Sequence, residues 1–320
     1  MSVKFGIQIE PQLGFGPKAV ERIALEGEKA GYDSIWSSDH FFLDGKSEER
    51  DCMEAWTLLA ALASATRKIR LGTLVTCNSY RHPAVLAKIA ATVDVISNGR
   101  LFFGIGAGWK KIEYRAYGIR FPSLRGRMDR LEEAIRVIKL LWTKPRATFR
   151  GKYYKIKDAF SAPKPVQKPM PPILIGGMGE RRTLRMVAKH ADYCNLWLIP
   201  ELKHKLDVLK KHCEAVRRDY AEVGKSLFAF AGVFVTESED ALEAHLAQRS
   251  KRNNMPVAKL AELFRKDAPG SWVGYPEEVV ERFQFLIDLG FDYFQVTFPG
   301  IDEEALSASQ AFAELVMKKL

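Results

Sequence analysis

Residues 172–198 read PILIGGMGERRTLRMVAKHADYCNLWL, and this stretch decides the fold. It begins with a short apolar run, Pro172–Ile175, and ends with another, Tyr193–Leu198, and both predict strands. Between them, Arg181–His190 predicts a helix that follows a glycine-rich turn. A strand, a helix and a strand in this order indicate two parallel strands joined by a right-handed crossover.

The same alternation extends from this stretch to both ends of the chain. Eight strands are predicted, at Val3–Ile9, Tyr32–Trp36, Ile69–Thr76, Leu101–Ile105, Pro172–Ile175, Tyr193–Leu198, Leu227–Val235 and Tyr293–Thr297. Helices are predicted at Lys18–Gly31, Cys52–Thr66, Pro83–Ser97, Met128–Trp142, Arg181–His190, Leu202–Val223, Asp240–Lys266, Glu277–Leu289 and Glu303–Lys319. Eight units favour an α/β fold closed into a (β/α)8 TIM barrel. An open doubly wound sheet is the alternative, although no GxGxxG motif opens the first βα unit.

Composition indicates one globular domain. The chain has 320 residues, of which 47% are hydrophobic and 28% charged, and barrels of this length commonly form a single domain, here 1–320. No apolar stretch approaches the roughly 18–20 residues that a membrane span needs, and the N-terminus does not resemble a signal peptide. The sequence therefore excludes a membrane protein.

The four cysteines are far apart in the chain and form no CxxC pair: Cys52, Cys77, Cys194 and Cys213. This pattern predicts reduced thiols in a cytoplasmic protein and gives no sign of a metal site. The net charge of +10 is spread along the chain rather than gathered in one basic run. It fits a solvated surface or an anionic small ligand, and it argues against nucleic acid as a partner.

A proline-rich stretch of about thirty residues interrupts the alternation before Pro172, as an insertion after the fourth βα unit. It contains Pro163, Pro165, Pro169 and Pro171. Irregular segments of this length in a compact domain are more often active-site lids than simple connections. We therefore expect this insertion to cover the mouth of the barrel.

Reactive groups of such barrels gather at the carboxyl ends of the strands. The second strand is followed by Asp39 and His40, a pair that offers hydrogen bonds and a group titrating near neutral pH, although a helix cap beside a structural histidine is the alternative. Glycines 176, 177 and 179 lie between a strand and a helix, ahead of Arg181 and Arg182, and predict a phosphate site. Gly106, Ala107 and Gly108 form a weaker signal that a tight turn would also explain. Cys77 has no base beside it and is interpreted as a packed thiol.

Several motifs in order resemble the bacterial luciferase-like family. They are IWSSDHFF (35–42), LGTLVTCNSYRHP (71–83), SNGRLFFGIGAGWKKIEYRAYGIRFP (97–122) and PPILIGGMGERRTLRMVAKHAD (171–192). The resemblance is specifically to the branch that uses coenzyme F420, an 8-hydroxy-5-deazaflavin, and it extends to GYPEEVVERFQFLIDLGFDYFQVTF (274–298). It implies a luciferase-like TIM barrel, a homodimer, and an oxidoreductase that transfers hydride between the deazaflavin and a small organic substrate.

The resemblance also assigns roles to individual residues. It implies a non-prolyl cis peptide bond in the third strand, which would fall near Leu74 and Val75. His40 matches the proton partner of the reaction, and Glu113 is the second candidate for that role. The positions that match cofactor contacts are Asp39, Leu74, Val75, Thr76 and Asn78, the backbone of Gly106, Ala107 and Gly108, and the phosphate loop with Gly176, Gly177, Met178 and Arg181.

One position departs from the pattern. Sugar-phosphate and alcohol dehydrogenases of this branch have a glutamate directly after the Gly-x-Gly run, where this chain has Trp109. The resemblance therefore does not identify the substrate. Two other functions stay open: an FMN-dependent luciferase-like monooxygenase, and a protein that binds a flavin-type cofactor without turnover. The anionic tail of coenzyme F420 suits a basic protein, but FMN is anionic as well.

Overall fold

In the computed structural model, which describes residues 3–320, eight parallel strands close into a barrel. The strands are β1 Lys4–Ile9, β2 Ser34–Ser37, β3 Arg70–Thr73, β4 Leu101–Gly106, β5 Ile173–Gly176, β6 Tyr193–Trp197, β7 Gly224–Ala229 and β8 Tyr293–Val296. Each strand pairs with the next, and β8 pairs with β1, so the sheet has no free edge. The predicted (β/α)8 barrel is confirmed. Met1 and Ser2, which the predicted domain 1–320 includes, lie outside the described residues.

Helices surround the barrel and connect its strands. They are α1 Pro17–Ala30, α2 Ala55–Ala65, α3 Pro83–Ile96, α4 Lys111–Ala116, α5 Leu124–Thr143, α6 Thr183–His190, α7 Leu202–Ala215, α8 Glu239–Asn253, α9 Val257–Arg265, α10 Pro276–Asp288 and α11 Asp302–Leu315. Their ends follow local sequence: α1 begins at a proline, and Gly31 ends it in the left-handed conformation. None of the helices in residues 3–320 combines the length and the apolar character that a membrane span requires.

The core has two layers because strand side chains alternate in direction. On β2, Ile35 packs outward into the large apolar cluster between strands and helices, whereas Trp36 points into the barrel. Inside the barrel, Trp36 stacks on Phe102 with 5.3 Å between ring centroids, and Leu74, Leu174 and Tyr293 complete that inner cluster. This cluster fills the barrel interior below its carboxyl end, so only the mouth remains open to a ligand.

The third strand is interrupted within the predicted range Ile69–Thr76. The peptide bond between Leu74 and Val75 is cis, as expected from the resemblance. Beyond it, Thr76–Cys77 pairs again with β4. The hydroxyl of Thr76 donates to that of Thr73, 2.8 Å away, which joins the two halves of the interruption.

Several predicted elements are shorter than expected or divided, and the helix predicted at Leu202–Val223, for example, ends at Ala215. The strand predicted at Leu227–Val235 stops at Ala229, and Phe234–Val235 belongs to a separate two-stranded sheet with Val273–Gly274. The helical region predicted at Asp240–Lys266 is divided into α8 and α9 by Asn254, whose φ of 49° no helix can continue. The turn signals at these points are single residues within otherwise helical or apolar sequence.

The expectation of a lid over the mouth is wrong. The proline-rich insertion begins with an antiparallel hairpin, Ala147–Arg150 with Lys155–Ala159, and none of residues 144–172 lines the cavity described below. Gln167 anchors the following segment, because its side-chain amide donates to Asp94 at 2.7 Å and to the carbonyl of Leu101, the first residue of β4. The segment around Gln167 thus packs at the amino end of β4, whereas Tyr154 of the hairpin packs against His82 beside the carboxyl end of the third strand without lining the cavity.

Candidate active site

A cavity of about 1270 Å³ opens at the carboxyl ends of the strands. Twelve of the fourteen residues predicted for the site line it: Asp39, His40, Leu74, Val75, Thr76, Gly106, Ala107, Gly108, Gly176, Gly177, Met178 and Arg181. The barrel topology explains this agreement, since all parallel strands end at one rim. Glu113 and Asn78 are buried and lie outside the cavity lining.

Glu113 lies behind His40 and holds its imidazole ring. The two oxygens of this carboxylate are 3.0 and 3.1 Å from His40 Nδ1. The same carboxylate accepts hydrogen bonds from the Tyr80 hydroxyl at 2.6 Å and from the backbone N–H of Phe41 at 2.7 Å. Burial alone would raise the pKa of Glu113, but these hydrogen bonds outweigh it and hold the pKa at about 2.

The charge of Glu113 determines the tautomer of His40. A carboxylate that is ionised at neutral pH can only accept, so Nδ1 of His40 must carry a proton and donate it. In the neutral imidazole, Nε2 is then an acceptor, and it forms no hydrogen bond with any group in residues 3–320. His40 lines the cavity, with its ring edge-on to Trp109 at 5.7 Å. The arrangement presents a proton acceptor to a ligand, and a donor once the ring is protonated.

Asp39 has a structural role that the sequence did not indicate. Its carboxylate accepts two hydrogen bonds from Arg81, at 2.8 and 2.9 Å, and one from the backbone N–H of Cys77 at 2.9 Å. Arg81 also pairs with Glu54, the residue that caps α2. Asp39 therefore ties the end of β2 to the segment that follows β3, and its place beside a bound cofactor stays a prediction.

The glycine-rich loop after β5 has the features of an anion site. The backbone N–H groups of residues 178–182 donate to no acceptor within the described part of the chain. Unpaired donors just before a helix, here α6, attract phosphate groups. Arg181 is exposed and Arg125 lines the cavity from the start of α5, whereas Arg182 and Lys205 pair with Asp129 and Glu180. Two arginines are thus available to an anion here.

The glycines at the mouth make room for Val75. A Cβ added to Gly106 would lie 2.7 Å from Val75 Cγ2, and one added to Gly176 would lie 3.1 Å from Val75 Cγ1. Gly108 has a different reason: its φ is +77°, and a Cβ there would lie 2.6 Å from the sulfur of Cys77. The packing of Val75 between β4 and β5 therefore explains why positions 106 and 176 are glycines, whether or not a ligand contacts them.

We expect Gly106→Ala to destabilise the fold by about 1–3 kcal/mol, because the added methyl group meets Val75 in a packed mouth. Adding Val75→Ala should restore part of the loss, since the smaller side chain vacates that space. Urea denaturation of the single and double variants measures this coupling. Gly16→Ala is the control, as its Cβ would meet Asp302 only at 3.8 Å. Strictly additive effects at 75 and 106 would contradict the packing explanation.

Asn78 and the two residues before it, Thr76 and Cys77, form the segment that follows the cis peptide bond of the third strand. Asn78 is fully buried, and its side-chain Oδ1 has no hydrogen-bond partner within residues 3–320. Thr76 lines the cavity, but its hydroxyl is engaged by the indole N–H of Trp56 at 3.2 Å. The Cys77 sulfur lies 3.0 Å from the hydroxyl of Tyr114, and burial raises the pKa of its thiol to about 11. Both observations agree with the interpretation of Cys77 as a packed thiol rather than a nucleophile.

Glu10, Arg125, Lys205 and Phe228 are among the lining residues that the sequence analysis missed. Glu10 directly follows β1, so the rule that functional groups lie at strand ends would have identified it. Phe228 belongs to β7, whose predicted start was three residues late. Arg125 and Lys205 lie on α5 and α7, and no local pattern distinguishes them from surface cations. Only the folded chain brings them to the cavity.

Comparisons with known proteins agree with this geometry. A family model described as luciferase-like monooxygenase matches residues 2–293. An F420-dependent glucose-6-phosphate dehydrogenase from Amycolatopsis mediterranei (strain U-32) is 29% identical, with 96% of this chain and 95% of that protein covered.

Two solved structures share the fold. An F420-dependent secondary alcohol dehydrogenase in complex with an F420-acetone adduct superposes with a TM-score of 0.81 at 21% identity, covering 99% of this chain and 98% of the other. The oxygenating constituent of 3,6-diketocamphane monooxygenase from Pseudomonas putida, in complex with FMN, gives 0.79 at 18% identity and covers 100% and 99%. At these identities the structures support the fold alone.

Proposed function

This chain belongs to the luciferase-like monooxygenase family, and on that premise we propose that it is a coenzyme F420-dependent oxidoreductase. It transfers hydride between the deazaflavin and a small organic substrate. Curated relatives with 28–29% identity over nearly the whole chain are F420-dependent dehydrogenases, which supports this cofactor over FMN. The family match covers residues 2–293, which include every residue assigned to the site.

The observation that carries the proposal is the pairing of an anion-binding loop with a positioned histidine in one cavity. Donors of residues 178–182 lie at one side, and His40, held by Glu113, lies at another. An anionic cofactor can be fixed at the loop while its reactive part reaches the histidine. Such a division of roles, with the protein supplying binding and a proton partner, is usual for cofactor enzymes.

The residues present fit coenzyme F420. Its phosphodiester suits the N–H groups of residues 178–182, and its acidic tail suits Arg125 and Arg181. The apolar mouth around Leu74, Val75 and Met178 suits a flat ring, with the backbone of residues 106–108 beside it. When bound, coenzyme F420 supplies two-electron hydride chemistry at its deazaflavin.

The chain itself supplies orientation and proton transfer. His40 accepts or donates a proton at Nε2, and Glu113 keeps the opposite nitrogen protonated and the ring in place. Glu113 is therefore a positioning residue rather than the second proton partner that the resemblance suggested. Its full burial supports this assignment, because a carboxylate outside the cavity lining has no direct access to a substrate.

Trp109 argues against a sugar phosphate as the substrate. It stands where sugar-phosphate and alcohol dehydrogenases of the F420-dependent branch have a glutamate, and it is 70% exposed at the mouth. Trp197 also lines the cavity. Two indole rings favour a substrate with apolar surface, which either stacks on the rings or packs against them.

Titration of the purified protein with coenzyme F420 and with FMN, each oxidised and reduced, tests the proposal directly. Cofactor absorbance and fluorescence report binding in all four titrations. Tight and selective binding of coenzyme F420 is the expected result. Selective binding of FMN would refute the cofactor assignment and favour the oxygen-dependent monooxygenase, for which the FMN complex of the same fold is a precedent.

We expect Arg181→Ala to weaken coenzyme F420 binding by roughly 3- to 30-fold at low salt, because an exposed cation beside the loop attracts the anionic tail. The loss should shrink as salt is raised, since screening reduces the attraction in the native protein too. Arg22→Ala is the matched control, because Arg22 pairs with Glu303 between α1 and α11. A loss independent of salt would show that Arg181 acts through loop structure instead.

Two further properties belong to this proposal. We propose a homodimer, because α3 exposes the apolar residues Val85, Val95 and Ile96, which lie outside the cavity lining. Sedimentation equilibrium measures the oligomeric state.

We also assign the protein to the cytoplasm, because its four cysteines are free thiols, three of them buried.

A further inference from the structure

Glu10 is an unpaired carboxylate at the mouth of the cavity. It follows the last residue of β1, lines the cavity and is only partly exposed. Within residues 3–320, its carboxylate oxygens accept no hydrogen bond and join no ion pair. Burial raises the pKa of Glu10, and the nearby charges of His40 and Lys110 oppose that rise. A partly buried carboxylate without partners in the chain is available to pair with a cationic group of a ligand.

The other carboxylates around His40 differ from Glu10 in this respect. Asp39 is fully engaged by Arg81 and the N–H of Cys77. Glu113 is engaged by His40, Tyr80 and the N–H of Phe41. Both side chains complete the protein's own structure. The Glu10 carboxylate has no hydrogen-bond or ion-pair partner among the described residues, and it lines the same cavity as His40.

The topology sets Glu10 apart from the anion site. In a closed ring of eight strands, β1 lies opposite β5, because three strands lie between them in either direction. The loop with free N–H groups follows β5, and Glu10 follows β1. The cavity therefore has a positive side, with Arg125 and Arg181, and a negative side at Glu10. An anionic cofactor tail occupies the first and leaves the second to the substrate.

The charges near Glu10 do not neutralise it. Lys110 lies 3.5 Å from Glu113 and donates to the carbonyl of Phe42, so its charge is shared within the chain. His40 directs Nδ1 to Glu113 and is neutral in the state that accepts a proton. One negative charge is then left over on this side of the cavity. A cationic group next to Glu10 would balance it.

We propose that Glu10 binds a protonated amino group of the substrate, and that the preferred substrates are amines with an apolar body. The inference rests on the proposed function and names the substrate class for the same site. The ammonium group donates to the Glu10 carboxylate, the apolar body packs on Trp109, and the reacting carbon lies within reach of His40. Glu10 is thus a specificity-determining residue.

Three small probes with one apolar body test this assignment: benzylamine, benzyl alcohol and benzoate. Their binding is followed at pH 7 by tryptophan fluorescence, because Trp109 and Trp197 line the cavity. We expect the protein loaded with coenzyme F420 to bind benzylamine at least tenfold more tightly than either other probe. Glu10→Gln should abolish that preference while keeping the size of the side chain.

Glu48→Gln is the matched control, because Glu48 is exposed in the loop between β2 and α2 and lies outside the cavity lining. It should keep the full preference for benzylamine. Thermal unfolding by circular dichroism checks that both variants fold. Equal binding of benzylamine and benzyl alcohol by the native protein would overturn the proposal, as would a preference that survives Glu10→Gln.

The same titrations without coenzyme F420 separate this inference from the proposed function. A benzylamine preference that depends on Glu10 in a protein unable to bind coenzyme F420 would refute the cofactor assignment and leave the amine site standing. Selective binding of coenzyme F420 by a protein without the amine preference would refute only the amine site.

Discussion

Replacing His40 with alanine is expected to lower turnover by roughly 10²- to 10⁴-fold, the usual contribution of a positioned acid or base. Affinity for coenzyme F420 should stay within about threefold, because the anion loop after β5 is intact and carries most of the cofactor's charge contacts. The reason is geometric: His40 is the imidazole that lines the cavity and has a buried carboxylate behind it. Steady-state rates with F420, together with the fluorescence titration, measure both quantities.

His82→Ala is the matched control for this experiment. His82 caps α3 at the same rim but lies outside the cavity lining, so its removal should leave turnover close to the native value. The pH profile adds a test of role, because loss of a proton partner should change how turnover depends on pH, whereas loss of a merely structural side chain should not. Unchanged turnover in His40→Ala would remove His40 from the mechanism. Turnover absent in the native protein with every substrate class would favour a binding protein.

Replacing Glu113 with glutamine is expected to lower the free energy of unfolding by roughly 3 kcal/mol at pH 7. The carboxylate is fully buried and accepts hydrogen bonds from His40, Tyr80 and the N–H of Phe41. Its pKa of about 2 lies below its ordinary value of 4.5, so the folded state favours the ionised form. Glutamine keeps the size but loses the charge that these donors require.

The lowered pKa of Glu113 also determines how the loss of stability should depend on pH. A carboxylate whose pKa is lowered by folding stabilises the protein above its unfolded pKa, and the stabilisation disappears as the pH falls toward the folded value. The difference between native protein and Glu113→Gln should therefore be full above pH 4.5 and should shrink as the pH falls toward 2. Urea denaturation across this range measures it, with Glu48→Gln as a control that should follow the native curve. A difference independent of pH would assign the effect to packing.

Much of the fold followed from the sequence because the barrel repeats one local pattern. Residues 173–176 and 193–197 form strands within one or two residues of their predicted bounds, and the glycines after the first of them make the expected loop. The strand-end rule then led to His40 and to the loop of residues 176–178, since parallel strands in a closed barrel share one rim. These inferences needed no knowledge of distant contacts.

The errors concern residues whose roles depend on distant partners. The proline-rich insertion has the composition of a lid, yet none of its residues lines the cavity, and Gln167 binds Asp94 on α3 and holds the segment around it at the amino end of β4. Glu113 is seven residues beyond Gly106, the last residue of β4, and only folding brings it to 3.0 Å from His40, 73 residues earlier in the chain. Glu10 was overlooked although it follows a predicted strand, because a single glutamate has no motif around it.

Val75 limits the order in which this sequence can evolve. Its methyl groups lie where a side chain on Gly106 or Gly176 would have to go, and one of them is 3.4 Å from the Cβ position of Gly104. A side chain at Gly106 or Gly176 meets the valine first, whereas one at Gly104 would meet the backbone carbonyl of Thr73. Selection should therefore remove a side chain at 106 or 176 unless position 75 has already become smaller. Descendants with alanine at 106 or 176 should consequently carry alanine or glycine at 75. The mouth can be remodelled, but only by lineages that change the third strand before its neighbours.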